Sequence, residues 1–407
     1  MSTPDYQQAL GRKIAAERRR RGLSQPELAR MIDRSVAWVS QVERGVRKVD
    51  RMSVLETLAT ALDIPLAKLA AEAPVVAAVT EEAPGAADLR LVLSGVYSLR
   101  ALLNGHHDPP VLADLRSGTG QAWELTHAGR YAELASLLHG LVSDLETAAR
   151  ALPEADRAEA SELMATTYQA CSAALAKLGE PEAAWIAADR AMAAAEQAGN
   201  PLLVAAGAFR LVHVFLAARH YDQAEETART TADALAHLAS DGDPQAASLW
   251  GGLTLQRAVI AARRGDPDAA YRHLEQASQA AARVGEGRNE FNTEFGPANV
   301  AVHEIAVAVE LGDAGRALRA AATIDATGLS AERQARMLID VARAHAQRRQ
   351  VTEAIAALTE AERISAELAR SHQQVRQLVS DLLTMQDPPS PELRDLAARI
   401  PTAGLPI

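Results

Sequence analysis

The stretch "RRRGLSQPELARMIDRSVAWVSQVERG" (residues 19–45) contains the start and stop signals of short helices. Gly22 predicts the end of a first helix, because glycine readily adopts the left-handed conformation found at helix ends. Ser24 and Glu27 have the spacing of a capping box, which predicts that a second helix begins there. Pro26 is compatible with this prediction, since proline is tolerated in the first turn of a helix.

A third helix is predicted to follow a turn at residues 33–34. Ser35 is a suitable N-cap, and Gly45 predicts the end of the helix. Val39 and Val42 are spaced so that both face inward. The stretch therefore predicts two capped helices joined by a tight turn.

The flanking sequence predicts further helices. Apolar residues at a spacing of four predict a helix over residues 6–20. Ser53 and Glu56 form a second capping box, and Pro65 predicts the end of the helix that it opens. The segment "LAKLAAE" (66–72) predicts one more short helix. Five short helices are expected in this part of the chain.

Composition predicts an all-α protein. Hydrophobic residues make up 48% of the chain but aromatic residues only 3%, so alanine and leucine provide most of the apolar surface. The single cysteine, Cys171, excludes an internal disulfide. The most apolar run, residues 201–218, contains Arg210 and His213 and falls short of the ~20 apolar residues that span a bilayer. A soluble, cytoplasmic protein without membrane contact is expected.

Charge is unevenly distributed along the chain. Residues 1–70 contain thirteen Arg or Lys and eight Asp or Glu, a balance of 13 − 8 = +5. The whole chain has a net charge of −10, so the remainder carries −10 − 5 = −15. A basic head on an acidic body predicts that the head binds a polyanion and the body does not.

The head resembles a known DNA-binding family. The segments "RRRGLSQPELA", "VSQVERG" and "LETLATALDIPLAKL" are similar to the helix-turn-helix domain of Cro/C1-type (XRE) repressors. The resemblance implies that residues 35–44 form the recognition helix, which enters the major groove of a double-stranded DNA operator. The residues expected to contact DNA are Gln25, Arg34, Ser35, Val36, Ala37, Trp38, Ser40, Gln41, Arg44, Arg47, Lys48 and Arg51.

The resemblance also implies roles for these side chains. Gln41 is suited to a hydrogen bond with a base edge, and Val36 and Ala37 to contact with thymine methyl groups. Gln25 occupies the usual DNA-backbone position of the family. The loop "GVRKVDR" (45–51) supplies basic side chains for phosphates.

Some positions depart from the pattern or allow a second interpretation. Asp33 replaces a customary glycine in the turn but tolerates the left-handed conformation. Arg34 replaces an apolar residue and is interpreted as a further phosphate contact. Trp38 suits a packing role as well as a DNA contact. The family often pairs the equivalents of Arg18 and Glu43.

The remainder of the chain predicts a linker followed by repeated helix pairs. Residues 71–88 are rich in Ala, Pro and Glu, show no helical stripe and suggest a linker. From there to residue 400, a short turn repeatedly leads into an alanine-rich helix. The turns are "HAGRYAEL" (127–134), "KLGEPEAA" (177–184), "AARHYDQAEE" (217–226), "ARRGDPDAA" (262–270), "ELGDAGRAL" (310–318) and "QRRQVTEAI" (347–355).

These pairs resemble tetratricopeptide (TPR) repeats of irregular length. A single pair cannot bury its apolar face, so neighbouring pairs are expected to stack into an α-solenoid. The resemblance implies a concave groove that binds peptides or helices. The predicted architecture is thus a DNA-binding domain (1–70), a linker (71–88) and a TPR-like sensor and dimerisation domain (89–400).

Sequence motifs of enzymes are missing. The chain contains no glycine-rich phosphate loop, no HExxH and no nucleophile elbow. His106, His107 and Asp108 lie in "NGHHDPP", where a loop is a simpler interpretation than a metal site. No cofactor, metal or catalytic residue is predicted.

One segment of the body differs from the rest in composition. Three of the five asparagines and two of the four phenylalanines of the chain lie in "GRNEFNTEFGPANVAVHEIA" (287–306). An asparagine amide both donates and accepts hydrogen bonds, as a peptide unit does. The candidate ligand-binding residues are Asn289, Asn292, Glu294, Phe295, Asn299 and His303. Equally, the asparagines could mark loops, the phenylalanines core positions and His303 a satisfied polar residue.

A repressor head joined to a TPR-like body resembles bacterial peptide-sensing (quorum-sensing) regulators. The resemblance implies a non-enzymatic, homodimeric transcriptional regulator that binds a signalling peptide or another small effector. The alternative is a TPR scaffold that is tethered to DNA and recruits a protein partner without a small ligand. A toxin–antitoxin or phage-type repressor fits the large body less well.

Overall fold

The computed structural model describes residues 3–32, 34–45, 49, 52–62, 64, 69, 85–94, 110–386 and 388–400. Among these residues there are twenty α-helices, one 3-10 turn and no strand, which confirms the all-α prediction. The contacts divide the chain into two compact units, Met1–Ala78 (the head) and Val79–Ile407 (the body). None of the helices in the described ranges has the length and apolarity needed to cross a membrane.

The head contains the helices that the sequence predicts around the turn. They are α1 (Thr3–Arg20), α2 (Gln25–Met31), α3 (Val36–Glu43) and α4 (Met52–Ala61). Most of the predicted fifth helix and the side chains of Ser53 and Glu56 lie outside the described residues. The core of the head is aliphatic and consists mainly of Leu10, Ile14, Leu28, Val39, Val42, Leu55, Leu58 and Leu62.

Both predicted caps of the turn region are present. The Glu27 amide donates to Ser24 Oγ at 3.3 Å, and the Ser24 amide donates to Glu27 Oε2 at 2.7 Å, which completes the capping box. Ser35 Oγ accepts from the Trp38 amide at 3.1 Å at the start of α3. These bonds satisfy amides that would otherwise lack partners at the helix starts.

The body consists of antiparallel helices that follow one another with short connections. The first half contains α5 (Ala86–Val92), α6 (Leu112–Ala128), α7 (Tyr131–Ala151), α8 (Glu154–Leu178), α9 (Pro181–Ala198), α10 (Pro201–Ala217), α11 (Tyr221–Ser240) and α12 (Pro244–Arg264). The second half contains α13 (Pro267–Val284), α14 (Pro297–Leu311), α15 (Ala314–Ala321), α16 (Ala331–Gln347), α17 (Val351–Ile364), α18 (Ala366–Ser371), α19 (Gln373–Met385) and α20 (Pro391–Arg399).

The six predicted turns all fall between helices and share one hydrogen-bonding pattern. At Gly179, for example, φ is +82° and the Glu180 amide donates to the Leu175 carbonyl at 3.0 Å, as in a Schellman motif. Arg219 and Arg349 adopt the same left-handed conformation at two turns, with φ of +62° and +61°. The turn geometry therefore persists even where glycine is absent.

The end of the body packs against its beginning. Glu367 Oε2 accepts from the Tyr131 amide at 2.8 Å and the Ala132 amide at 3.1 Å, so a carboxylate from α18 caps α7. α16 also packs on α6, and a single core cluster contains residues from both ends of the body. Polar side chains between these elements are consequently removed from solvent.

The predicted linker lies mostly outside the described residues. Its last residues, 86–88, belong to α5, which packs against α7 within the body. The domain boundaries drawn from the sequence therefore remain predictions.

Replacing Gly179 by alanine should destabilise the full-length protein by about 1–2 kcal/mol, because a Cβ is unfavourable in the left-handed conformation. No atom lies within 4 Å of the position of that Cβ, so the cost is one of backbone conformation alone. Gly140 provides the matched control, since it is exposed, lies inside α7 and also has open space at its Cβ. Gly140→Ala should instead raise the melting temperature. Equal shifts in the same direction would contradict this account.

Candidate nucleic-acid interface and ligand site

A buried ion pair fixes α3, the predicted recognition helix, to α1. Arg18 Nε donates to Glu43 Oε1 at 2.5 Å and Nη2 donates to Glu43 Oε2 at 2.9 Å. Arg18 Nη1 also donates to the Leu23 carbonyl at 2.6 Å, at the end of α1. The hydrogen bonds that Arg18 donates to Glu43 raise the pKa of Arg18. The expected Arg18–Glu43 pairing is therefore present and links three segments of the head.

Gln25 joins the same network. Its Nε2 donates to Glu43 Oε2 at 2.8 Å, which connects the start of α2 to the end of α3. Burial acts to raise the pKa of Glu43, but the hydrogen bonds from Arg18 and Gln25 outweigh it and leave the pKa lowered. The carboxylate thus stays ionised and holds the helices at a defined angle.

Gly11 allows α1 and α3 to approach closely. A Cβ at this position would lie 2.3 Å from the Val42 carbonyl oxygen and 2.8 Å from that of Glu43, and backbone atoms cannot move aside easily. The sequence analysis did not single out Gly11. A glycine inside a predicted helix was the available signal, because it often marks a close packing contact.

The outer face of α3 carries the predicted DNA contacts. Val36 is 44% exposed, Arg44 is exposed, and Ser40 and Gln41 are half-buried. Val39 and Val42 are buried on the opposite face, as predicted. The helix therefore presents polar and small apolar side chains outward from a fixed core.

The other residues predicted to contact DNA include a packing residue, a helix cap and several positions outside the described set. Trp38 is half-buried and packs against the head core, with the Arg34 guanidinium 6.0 Å from its ring centroid. Ser35 acts as the N-cap of α3. The residues or side chains that lie outside the described set are Ala37, Arg47, Lys48 and Arg51.

The asparagine-rich segment forms an irregular connection between α13 and α14. A 3-10 turn covers Glu290–Asn292, and α14 begins at Pro297 after Gly296. Phe291, Asn292 and Glu294 have φ of +49°, +54° and +52°. Left-handed backbone at non-glycine residues costs of order 1–3 kcal/mol each, so surrounding contacts must hold this segment.

Those contacts engage most of the predicted ligand residues. Asn289 Oδ1 accepts from the Glu294 amide at 2.8 Å. The Glu294 carboxylate accepts from the Ser330 amide at 2.9 Å and pairs with Arg333 at 3.4 Å. Phe295 is 1% exposed, and its ring occupies the space that a side chain at Gly251 would need.

Asn299 and His303 are buried on one face of α14. Asn299 Nδ2 donates to the Thr293 carbonyl at 3.4 Å, whereas its Oδ1 has no partner among the described residues. His303 Nδ1 lies 2.8 Å from the Asn299 carbonyl and Nε2 lies 3.3 Å from Gln256 Nε2. These contacts suit a neutral ring that donates from Nδ1 and accepts at Nε2. Asn299 is therefore the member of the segment with an unused acceptor.

A group of charged side chains lies in the interior beside this segment. Lys177 Nζ is 3.1 Å from Glu332 Oε2, and both side chains are largely buried. Burial acts to raise the pKa of Glu332, but Lys177 and nearby arginines outweigh it and hold that pKa at about 2. Burial lowers the pKa of Arg210 to about 9.

Lys177, Arg210 and Glu332 were not among the ligand-binding residues predicted from the sequence. Arg210 donates hydrogen bonds to the carbonyls of Phe291 and Asn292, although it lies 81 residues before Phe291 in the chain. The signal was its position in the most apolar run of the chain. The described part of the chain contains no group of three or more His, Cys, Asp or Glu side chains that could hold a metal ion.

Comparison with known proteins supports the assignment of the head. Residues 9–71 match a family model described as a helix-turn-helix domain. No curated protein is significantly similar to the chain. The crystal structure of Bacillus thuringiensis PlcR in complex with the peptide PapR7 and DNA is similar over 68% of this chain and 95% of that chain. Its identity is 15% and its TM-score 0.31, values too low to support a functional argument.

The fold and the family match define the head as a helix-turn-helix domain. In the same chain, this head is followed by a large body that is all-helical in its described residues.

Protonation of buried histidines should destabilise the protein in mild acid. Burial lowers the pKa of His303 and His372 to about 3 and that of His127 to about 4. Unfolding restores a pKa near 6.5, so the unfolded chain binds more protons and stability falls as pH decreases from about 6.5 towards these folded-state values. Each such histidine contributes a slope of roughly 1 kcal/mol per pH unit between pH 6 and 5.

The measurement is the free energy of urea unfolding between pH 7.5 and 5. The variant His303→Gln should show a slope smaller by one proton than the wild type. His237→Gln is the control, since His237 is exposed and pairs only with Asp241 of the same helix end. An unchanged slope in His303→Gln would rule out a buried neutral ring.

Proposed function

We propose that the protein is a sequence-specific transcriptional regulator in which the head binds operator DNA and the body dimerises and senses an effector. The main observation in support of DNA binding is the arrangement of α3 in the head. Its inner face is buried, its N-cap is formed, and the Arg18–Glu43 ion pair holds its C-terminal end on α1. A recognition helix needs this rigidity, because base-edge hydrogen bonds tolerate little displacement.

The outward side chains of α3 suit base readout. Gln41 carries an amide that can donate to and accept from the major-groove edge of adenine. Val36 can contact a thymine methyl group, and Arg44 lies at the end of the helix towards the loop. Arg47, Lys48 and Arg51 of that loop are proposed to contact phosphates on the basis of their sequence positions.

We propose a homodimer because a single recognition helix reads too few base pairs for operator specificity. Two heads would bind half-sites about 34 Å apart, one turn of the DNA helix. The acidic body is proposed as the dimerisation domain, since the head is small and positively charged. Light scattering of the full chain at micromolar concentration tests this point, and a monomeric mass would contradict it.

The effector is proposed to be a peptide or another small molecule that binds at residues 287–303. Support comes from the three left-handed residues of this segment and from the buried, unpaired Oδ1 of Asn299. A buried carbonyl without a donor costs about 1–3 kcal/mol, and a ligand N–H would remove that cost. Strained backbone of this kind is often associated with ligand clamps and switch segments.

One observation favours the scaffold alternative. Trp185 and Ile186 on α9 are 47% and 50% exposed, and Glu182, Asp189 and Arg190 surround them. An exposed aromatic side chain with a polar rim is typical of protein interaction surfaces. Loss of a co-purifying protein on Trp185→Ala, with no effector response, would favour this alternative.

DNA binding should depend on salt and on named side chains. Neutralising Arg47 and Lys48 should weaken binding to all sequences, whereas Gln41→Ala should cost about 1–3 kcal/mol at one base position only. Fluorescence anisotropy with operator and scrambled duplexes over a salt series provides the measurement. Arg130→Gln removes one positive charge from the body, where Arg130 pairs with Glu133, and is the control for each single neutralisation in the loop. A folded protein that binds no genomic fragment at low salt would refute the proposal.

Asn299→Ala should abolish the response of operator binding to the effector and leave operator binding by the effector-free protein intact. The reason is that the substitution removes the unused acceptor without touching the head. The measurement is an operator-binding titration with and without cell extract enriched in the effector. A melting temperature that falls while the effector still acts would show that Asn299 has only a structural role.

A further inference from the structure

Arg210 is a buried cation without a carboxylate partner among the described residues. The residue lies in α10 and is 5% exposed. Its Nη2 donates to the Phe291 carbonyl at 2.7 Å and to the Asn292 carbonyl at 2.9 Å, and its Nε has no hydrogen-bond partner within the described ranges. Burying a charge is unfavourable unless an opposite charge compensates it, so the site is electrostatically incomplete.

Two aromatic rings lie close to this guanidinium. The Trp123 ring centroid lies 4.7 Å from Arg210 Cζ, and the Phe209 centroid lies 4.9 Å from it. Trp123 is itself held by a hydrogen bond from Nε1 to the Thr166 carbonyl at 3.1 Å. The cation–π contacts stabilise the charge but leave the hydrogen-bonding edge of the group available.

Neighbouring carboxylates already have cationic partners. Glu332 lies beside Lys177 and Glu294 beside Arg333, at 3.1 and 3.4 Å. Both carboxylates influence Arg210 over longer distances, yet neither forms an ion pair with it. The interior around Arg210 therefore has one more positive charge than these two pairs neutralise.

A second unpartnered polar atom lies close to Trp123. His127 Nε2 has no hydrogen-bond partner in the described part of the chain, and the His127 ring lies 5.3 Å from the Trp123 ring. Burial keeps this imidazole neutral at physiological pH, since its pKa is lowered to about 4. Polar atoms from α6 and α10 are thus left without partners, among the described residues, next to the same indole.

The geometry of the guanidinium indicates what it can bind. The edge formed by Nε and Nη2 can donate two parallel hydrogen bonds to a planar oxyanion. Arg18 binds Glu43 in this way in the head of this protein. In Arg210 the Nε half of that edge is unused, and the Nη2 half is bonded to the two backbone carbonyls. An oxyanion on this edge would compete with the carbonyls for Nη2.

We propose that Arg210 binds an oxyanion of the effector, either a carboxylate or a phosphate group, and that binding releases the strained segment at residues 291–294. The proposal rests on the effector-sensing role proposed above and specifies the chemistry of the ligand. Phe291, Asn292 and Glu294 adopt left-handed backbone, and Arg210 holds the first two through their carbonyls. Loss of those bonds lets the segment relax, which couples ligand binding to the start of α14.

Thermal unfolding of the full-length protein without DNA tests the proposal. The probes are inorganic phosphate and sodium acetate, each titrated against sodium chloride at constant ionic strength and pH. We expect a saturable rise in melting temperature with at least one of them. At a concentration of ten times Kd, the folding equilibrium constant should increase about 11-fold. Phosphate alone would indicate a phosphorylated effector, and acetate alone or both anions a carboxylate.

Substitutions of Arg210 test whether the anion binds at this residue. Arg210→Gln should lose the saturable rise in melting temperature. Arg210→Lys should weaken it, because lysine keeps the charge but cannot form the bidentate hydrogen bonds of a guanidinium. Arg316→Gln is the matched control, since Arg316 also stacks on an aromatic ring, that of Tyr271 at 4.0 Å, but is paired with Glu304. Its response should equal that of the wild type.

A measurement on the wild type keeps the test decisive if Arg210 variants fail to fold. Hydrogen exchange at the amides of residues 291–294 should become faster at saturating anion, because the carbonyl bonds to Arg210 are lost. No saturable stabilisation by either anion, or unchanged exchange in this segment, overturns the proposal. Since DNA is absent from both assays, their failure is separate from a failure of operator binding.

Discussion

A pair of alanine-rich helices cannot bury its own apolar faces, and this constraint determines the rest of the body. Small side chains allow close helix packing but provide little apolar area per residue, so burial requires neighbours on both sides. The helices satisfy the requirement by stacking in chain order and by packing α16 against α6 and α18 against α7. The same packing encloses polar residues that the sequence places on helices.

Enclosure is the origin of the unusual electrostatics. Most of the enclosed charges are compensated, as Lys177 is by Glu332 and Arg343 by Asp340. Among the described residues, no carboxylate forms an ion pair with Arg210, and its direct contacts are backbone carbonyls and aromatic rings. Those carbonyls belong to the connection before α14, whose backbone is strained. The buried charge of Arg210 and the strained backbone are therefore in direct contact. Such a pairing of an unsatisfied charge with a strained segment is a physical basis for a ligand-sensitive switch.

The head follows a different principle, because its stability depends on a few specific polar contacts around a small core. Glu43 receives hydrogen bonds from α1 and α2 while it ends α3, and Gly11 removes the side chain that would separate α1 from α3. These features make α3 a rigid platform for its outer face. Gln25, predicted to contact the DNA backbone, also contributes to that rigidity.

The sequence alone determined the features that depend on contacts within a few residues. Capping at Ser24 and Ser35 and the turns near Gly179 and Gly312 were predictable, because their hydrogen bonds close within five residues of the chain. The tertiary structure decided which distant residues meet. From the sequence, Arg210 appeared only as an interruption of an apolar run. Faces made mostly of alanine do not encode which neighbour they pack against, so only the stacked structure reveals the unpaired charge.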